Sequence, residues 1–150
     1  MSTEANSHAA WKRAAACDAV EVVIDGIFVG IGTGSTTTFT IRACADRMRA
    51  AFLFLGIPSA DRSAALATSL GITLATFADH PWIDLTIDGA HEVERGTLNL
   101  VKGHGGSLLR EKIVSVFECG LFVGLADVIL IGPAAGVTRL ERSPQRSASR

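Results

Sequence analysis

Apolar positions recur along the chain at two spacings, about three to four residues apart and every second residue, and the switch between them marks the elements. HAAWKRAAACDAVEV, residues 8 to 22, is alanine-rich with helical spacing and predicts a first helix. Asp25-Gly26 turns the chain into the short strand IFVGI, and TTTFTIRACADRMRAAF predicts a second helix beginning near Ser35 or Thr36. LFLGIP reads as a strand closed by Pro58, ADRSAALATSLGI as a third helix ended by Gly71, and the β-branched ITLATF as another strand. WIDLTI, Trp82 to Ile87, predicts a strand that Asp88-Gly89 stops. LNLVKG then runs into a glycine cluster, and SLLREKIVSVF predicts a helix with Ser107 near its N-terminus.

Strands alternating with helices of about a dozen residues predict an α/β fold with a mostly parallel sheet. In such sheets ligands sit at the carboxyl ends of strands, where the glycine-rich segments of this chain fall. The remainder differs in character. GLFVGLADVILIGPAAGV is apolar but interrupted by glycine, with two short strand-like pieces, and RLERSPQRSASR has no apolar periodicity and predicts a disordered tail over 139–150.

Composition narrows the class. With 150 residues, 48% of them apolar, the chain suits one domain with a real core rather than two. Fourteen Lys and Arg against fifteen Asp and Glu leave a formal charge of -1, so no global field draws nucleic acid or an anionic membrane. Any anion must be held locally. Cys17, Cys44 and Cys119 are odd in number and form no C-x-x-C pair, which argues against a disulfide framework or zinc site and for a reducing compartment. No apolar run reaches the roughly 18 residues of a membrane span, and MSTEANSHAAWKRAAA lacks a signal-like apolar region, so a cytoplasmic location is expected.

The stretch GIGTGSTTT, 30 to 38, follows a strand and opens a helix. Gly-x-Gly followed by hydroxyl residues at a helix start exposes backbone N–H groups with no Cβ to block approach, so a phosphate fits there. The spacing is not the dinucleotide-binding G-x-G-x-x-G, and no Gly-Lys-Ser/Thr follows as in a Walker loop. The plainer reading is a tight turn capped by Ser35 or Thr36. Further on, Asp88, His91 and Glu92 lie just past one strand, Lys102 precedes Gly103, Gly105 and Gly106, and Arg110, Glu111 and Lys112 follow on a helix. A lysine and several carboxylates near strand ends form a candidate acid–base and anion-stabilising cluster. Taken singly, each also reads as a turn former or a solvated face.

VGIGTGSTTT at 29 to 38, IDGAHE at 87 to 92 and LNLVKGHGGSLLREKIV at 98 to 114, in this order and with IPSADRSAALATSLGI between the first two, closely resemble ribose-5-phosphate isomerase of the A type. The resemblance implies a Rossmann-like three-layer α/β fold and interconversion of D-ribose 5-phosphate and D-ribulose 5-phosphate, a step of the non-oxidative pentose phosphate pathway, without metal or organic cofactor. It implies that Thr33, Gly34, Ser35 and Thr36 hold the sugar phosphate. Asp88, Gly89, Ala90 and His91 would form the turn whose aspartate serves ring opening, and Lys102, Gly103, His104 and Gly105 the lysine-glycine loop. Glu111 matches the general base. A homodimer or homotetramer is likewise implied.

Three departures bear on this. His91 stands where the family has a second aspartate, which removes a fixed negative charge and is expected to slow ring chemistry or disturb Lys102. His104 replaces a glycine, putting a side chain where bare backbone is expected. After about residue 117 the chain reads as internally shortened: SVFECGLFVGLADVILIGPAAGV resembles a jump to the family's C-terminal segment, without the small α+β lid domain. Residues 1–138 then form a single domain. Loss of the lid would open the site to water and uncover apolar surface, so the alternative expectation is a catalytically impaired sugar-phosphate-binding relative.

Overall fold

The computed structural model describes residues 3–102, 121–132 and 136–142. The element order begins α1 (Thr3–Val20), β1 (Phe28–Ile31), α2 (Ser35–Arg49), β2 (Leu55–Pro58), α3 (Asp61–Ser69) and β3 (Leu85–Ile87). These alternate strand and helix as the periodicity predicts. β1 pairs in parallel with β2, Phe28 opposite Leu55, and with β3, Val29 opposite Leu85. The expected α/β class and parallel sheet are therefore present.

β1 is the central strand, and its burial explains its composition. Val29 and Ile31 are buried in one core with Val20 and Val23 from the end of α1 and the turn after it, Ile41, Cys44 and Ala45 from α2, Phe54 before β2, Ala67 from α3, Ile72, and Ile87 from β3. An apolar strand paired on both edges leaves no side chain facing solvent on a polar face. Gly56 of β2 has to be small: a Cβ there would lie 2.8 Å from Ile31 Cδ1 and 3.3 Å from Ile72 Cγ2. Gly71, at φ +82°, turns the chain after α3 as expected.

Two expected strands are shorter than their apolar runs. ITLATF contributes a single parallel bridge, Leu74 to Gly56, because the chain turns at once: Asp79 N–H and His80 N–H both donate to the Thr76 carbonyl, at 3.2 and 3.0 Å, and Thr76 Oγ1 donates to the Asp79 carboxylate. WIDLTI pairs only from Leu85. Asp84 uses its carboxylate to accept the Phe28 N–H, at 2.8 Å, and its own N–H to donate to the Phe28 carbonyl, which ties down the foot of β1. Trp82 is 82% exposed.

Counting the Leu74 bridge, the sheet runs Leu74, β2, β1, β3. The chain steps outward from β1 to Leu74 and then returns to the opposite side of β1 to make β3. The strand order thus reverses at β1, and the crevice beyond the carboxyl ends of β1 and β3 is the switch point of an open α/β sheet.

The remaining strands are antiparallel, which periodicity did not reveal. β4 (Glu92–Val93), β5 (Leu100–Val101) and β6 (Leu121–Phe122) form one sheet. β7 (Val128–Ile131) and β8 (Thr138–Glu141) form another, Val128 opposite Glu141. β6 and β7 are the two strand-like pieces of the glycine-interrupted stretch. The expected disordered tail therefore starts too early. Residues 139–141 lie in β8, and Arg142 donates from Nη2 to the Ala126 carbonyl at 2.7 Å, because main-chain pairing and a guanidinium fork need no apolar periodicity. Gly132, just after β7, lies so close to α1 that a Cβ would be 2.1 Å from the Trp11 carbonyl oxygen. The predicted helix around Ser107 lies outside the described residues, as does the glycine cluster before it.

Among these core groups Cys44 titrates in a usable range. Burial pushes its thiol from the ordinary 9.0 up to about 12, against a smaller lowering by Arg47. The folded state favours the neutral thiol, so this stability is intact below about pH 9 and is lost as pH rises toward about 12. The urea midpoint is expected to fall over about pH 9 to 11 more steeply in the wild type than in Cys44→Ala; parallel declines would contradict the assignment.

Candidate functional site

The site begins where β1 ends. Gly32 N–H donates to the Ile87 carbonyl at 3.1 Å, and the Gly32 carbonyl accepts from the buried Ser63 hydroxyl at 2.7 Å, so this residue is held between β3 and α3. A Cβ on Gly32 would lie 1.9 Å from both Cγ and Oδ1 of Asp88. Only bare backbone admits the carboxylate. Gly34 then caps α2 with φ +116° and no side-chain bond, which corrects the expected Ser35 or Thr36 cap. The left-handed backbone that starts this helix suits glycine, and it makes Ser35 the first helical residue.

Asp88, one residue past β3, organises the cluster. Its Oδ1 accepts from Thr33 N–H at 3.2 Å, from Gly89 N–H at 2.7 Å and from the Thr37 hydroxyl at 3.2 Å. Lys102, one residue past β5, places Nζ 3.3 Å from the same oxygen and donates to the Thr33 carbonyl at 3.1 Å. Lys102 is 6% exposed. An ammonium so placed is tolerable because a carboxylate and a carbonyl face it, and removing either partner is costly where burial is this deep. Residues 55 and 69 positions apart in the sequence are thereby joined to one turn.

The start of α2 forms the other wall. Thr36 packs on the aspartate turn, 3.2 Å from where a Gly89 Cβ would stand. The first-turn amides of a helix have no intrahelical acceptor, and the dipole favours an anion there. Lys12 of α1 donates to Ser35 Oγ at 2.8 Å, bringing a cation to the same helix end. Sequence reasoning missed Lys12. It lies in an alanine-rich helix and carries no motif, so only the docking of α1 on α2 reveals it. Thr37, with 1% exposure, was missed for a different reason: it sits inside a run of hydroxyl residues that offers no way to choose among them.

Of the other expected site residues, Ala90 and His91 are exposed, and the His91 main-chain N–H donates to the Val101 carbonyl at 2.9 Å, joining β4 to β5. Thr33, Gly34, Ser35, Thr36, Asp88, Gly89 and Lys102 are brought together. Gly103, His104, Gly105 and Glu111 lie outside the described residues. Among the described residues no three His, Cys, Asp or Glu side chains gather as metal ligands, and no helix is long and apolar enough to cross a membrane.

The arrangement joins a carboxylate able to exchange a proton, a cation able to stabilise a developing oxyanion, and a helix start able to hold a phosphate. The chain also resembles known proteins of one family. The sequence pattern of ribose 5-phosphate isomerase A (phosphoriboisomerase A) matches residues 55–117. Ribose-5-phosphate isomerase A of Synechococcus sp. (strain JA-3-3Ab) is 50% identical over 117 residues, 77% of this chain and 50% of the relative. That of Gluconobacter oxydans (strain 621H) is 48% identical over 138 residues, 90% of this chain and 58% of the relative. The solved ribose 5-phosphate isomerase A of Methanocaldococcus jannaschii superposes with a TM-score of 0.68 at 40% identity, covering 71% of this chain and 47% of that one. A D-ribose-5-phosphate isomerase in complex with phospho-erythronic acid superposes at 0.83 with 22% identity, over 89% of this chain and 98% of the other, a likeness of fold alone. The chain spans about half the length of the curated relatives it matches.

The contact at Gly32 generates a direct test. Gly32→Ala must displace the Asp88 carboxylate and with it the Lys102 pair, so it is expected to lower unfolding free energy by about 1–3 kcal/mol, as overpacking does. Urea denaturation checks this; an unchanged midpoint would show that the carboxylate does not depend on bare backbone at residue 32.

Proposed function

Because the chain belongs to the ribose-5-phosphate isomerase A family, we propose that it interconverts D-ribose 5-phosphate and D-ribulose 5-phosphate, a step of the non-oxidative pentose phosphate pathway. The observation that carries the proposal is the buried Lys102 ammonium held between Asp88 and the Thr33 carbonyl at the switch point of the sheet. In this reading the substrate phosphate sits at the start of α2, on the amides and hydroxyls of Thr33 to Thr36. Lys12 adds charge there.

Asp88 then serves ring opening, close to the glycine turn that admits it. Glu111 removes the C2 proton and returns it to C1, while Lys102 and backbone amides stabilise the enediolate oxygen. Gly89, Ala90, His91, Gly103, His104 and Gly105 line the substrate in the proposed site. The mechanism calls for neither metal nor organic cofactor. We assign the chain to the cytoplasm as a homodimer or homotetramer, in which residues 1–138 are one Rossmann-like unit lacking the small α+β lid.

Conversion of ribose 5-phosphate by the purified protein, read as ketopentose formed, tests the proposal. Glu111→Gln is expected to lower kcat by about 10²–10⁴-fold, the usual contribution of a general base. Equal, background-level rates in wild type and Glu111→Gln, both shown folded by circular dichroism, would overturn isomerase activity for this chain. A sugar-phosphate binder would then be the better description.

A further inference from the structure

The Gly32–Thr33 peptide unit is held at both of its ends. The Gly32 carbonyl accepts from the Ser63 hydroxyl at 2.7 Å, and the Thr33 N–H donates to Asp88 Oδ1 at 3.2 Å. A trans peptide is planar, with carbonyl and N–H pointing in opposite directions, so whatever fixes one of them aims the other. Ser63 lies in the first turn of α3 and is 3% exposed.

The orientation of this unit is not that of a continuing strand. A residue inside a ladder sends its N–H and its carbonyl to the same neighbour. Gly32 sends its N–H to Ile87 of β3, at 3.1 Å, but its carbonyl to α3. The Ile31 carbonyl before it accepts the Ser59 N–H at 2.8 Å. Two successive peptide units therefore have their carbonyls toward the segment that follows β2, and their N–H groups toward β3 and the aspartate after it.

We propose that Ser63 is a positioning residue: by holding the Gly32 carbonyl toward α3, it turns the Thr33 N–H onto Asp88. A paired rotation about Gly32 ψ and Thr33 φ turns this one unit and leaves both neighbouring units in place. The bonds those neighbours make to Ile87, Ser59 and Lys102 do not oppose it. Glycine at residue 32 makes the rotation sterically easy, and a buried carbonyl stripped of its donor is driven to make it.

The use of this device rests on the isomerase reading, in which Asp88 serves ring opening. Gly89 N–H and the Thr37 hydroxyl also donate to Oδ1, so the carboxylate stays bound when the peptide turns. What it loses is the donor beside Gly32, the residue against which it lies. The amides of Ser35 and Thr36 belong to α2 and do not follow the rotation. The effect therefore falls on kcat rather than on KM.

Ser63→Ala removes the donor, and Ser63→Cys, similar in shape with a weak S–H donor, is the second variant in case alanine disturbs packing. Ser63→Thr keeps the hydroxyl and serves as the rescue. Ala67→Gly, buried on the same helix, lowers stability without touching the carbonyl. Amide hydrogen exchange by NMR is read at two adjacent groups, the Gly32 N–H bonded to Ile87 and the Thr33 N–H bonded to Asp88. General loosening speeds both together, whereas a turned peptide releases Thr33 alone. The ratio of Thr33 to Gly32 exchange is expected to rise about tenfold in the alanine and cysteine variants, and kcat to fall about tenfold with KM within about twofold. Threonine should restore both, and Ala67→Gly should leave the ratio and kcat at their wild-type values. An unchanged ratio in the alanine and cysteine variants would overturn the role of Ser63 while leaving an active wild type as an isomerase. A raised ratio with unaltered kcat in an active enzyme would overturn its part in catalysis. A raised ratio in a protein that turns over no sugar would uphold the orienting role and overturn the isomerase reading instead.

Discussion

The close approach of the Asp88 carboxylate to bare backbone at Gly32 is the constraint on which the site depends. Nothing larger than hydrogen fits at residue 32. From that fit follow the bonds that Thr33, Thr37 and Gly89 donate to one oxygen, and the position of Lys102 against it. A carboxylate set back by a methyl group would weaken the pairing of a buried ammonium, a change that low dielectric makes expensive. The same contact ties the ends of β1 and β3 and a segment from the antiparallel part of the chain into one unit.

Sheet topology explains why these groups meet. β1 lies between β2 and β3, and the chain crosses back over it after the Leu74 bridge, so two strand ends open onto a common crevice. The helix that leaves β1 presents its amides to that crevice, and α1, docked on α2, supplies Lys12. Charge at the site is therefore local. A chain with net charge -1 still assembles a cationic corner from two lysines of different elements. The described members of this corner all precede residue 103.

Much of this was legible beforehand. VGIGTGSTTT and IDGAHE identified the glycine turn and the aspartate because backbone freedom and a carboxylate at a strand end are properties of residue type and order. Periodicity located α2 and α3 well, since an apolar stripe at helical spacing has few other uses. It overextended ITLATF and WIDLTI, where side chains of Thr76, Asp79 and Asp84 bond main chain or each other and halt the ladder. It also placed a disordered tail over residues that β7 recruits as β8.

Residue types and their order determined the α/β class, the glycine turn, the aspartate after β3 and the family, because these depend on local backbone preference and on chemistry that particular side chains alone carry. Tertiary structure decided that Gly32 touches Asp88, that Lys102 is buried against Thr33, that Lys12 reaches Ser35, and that Thr37 rather than its neighbours faces the carboxylate. Those contacts span 23 to 69 positions of the chain. Their energies arise from desolvation and distance, which exist only once the strands are side by side.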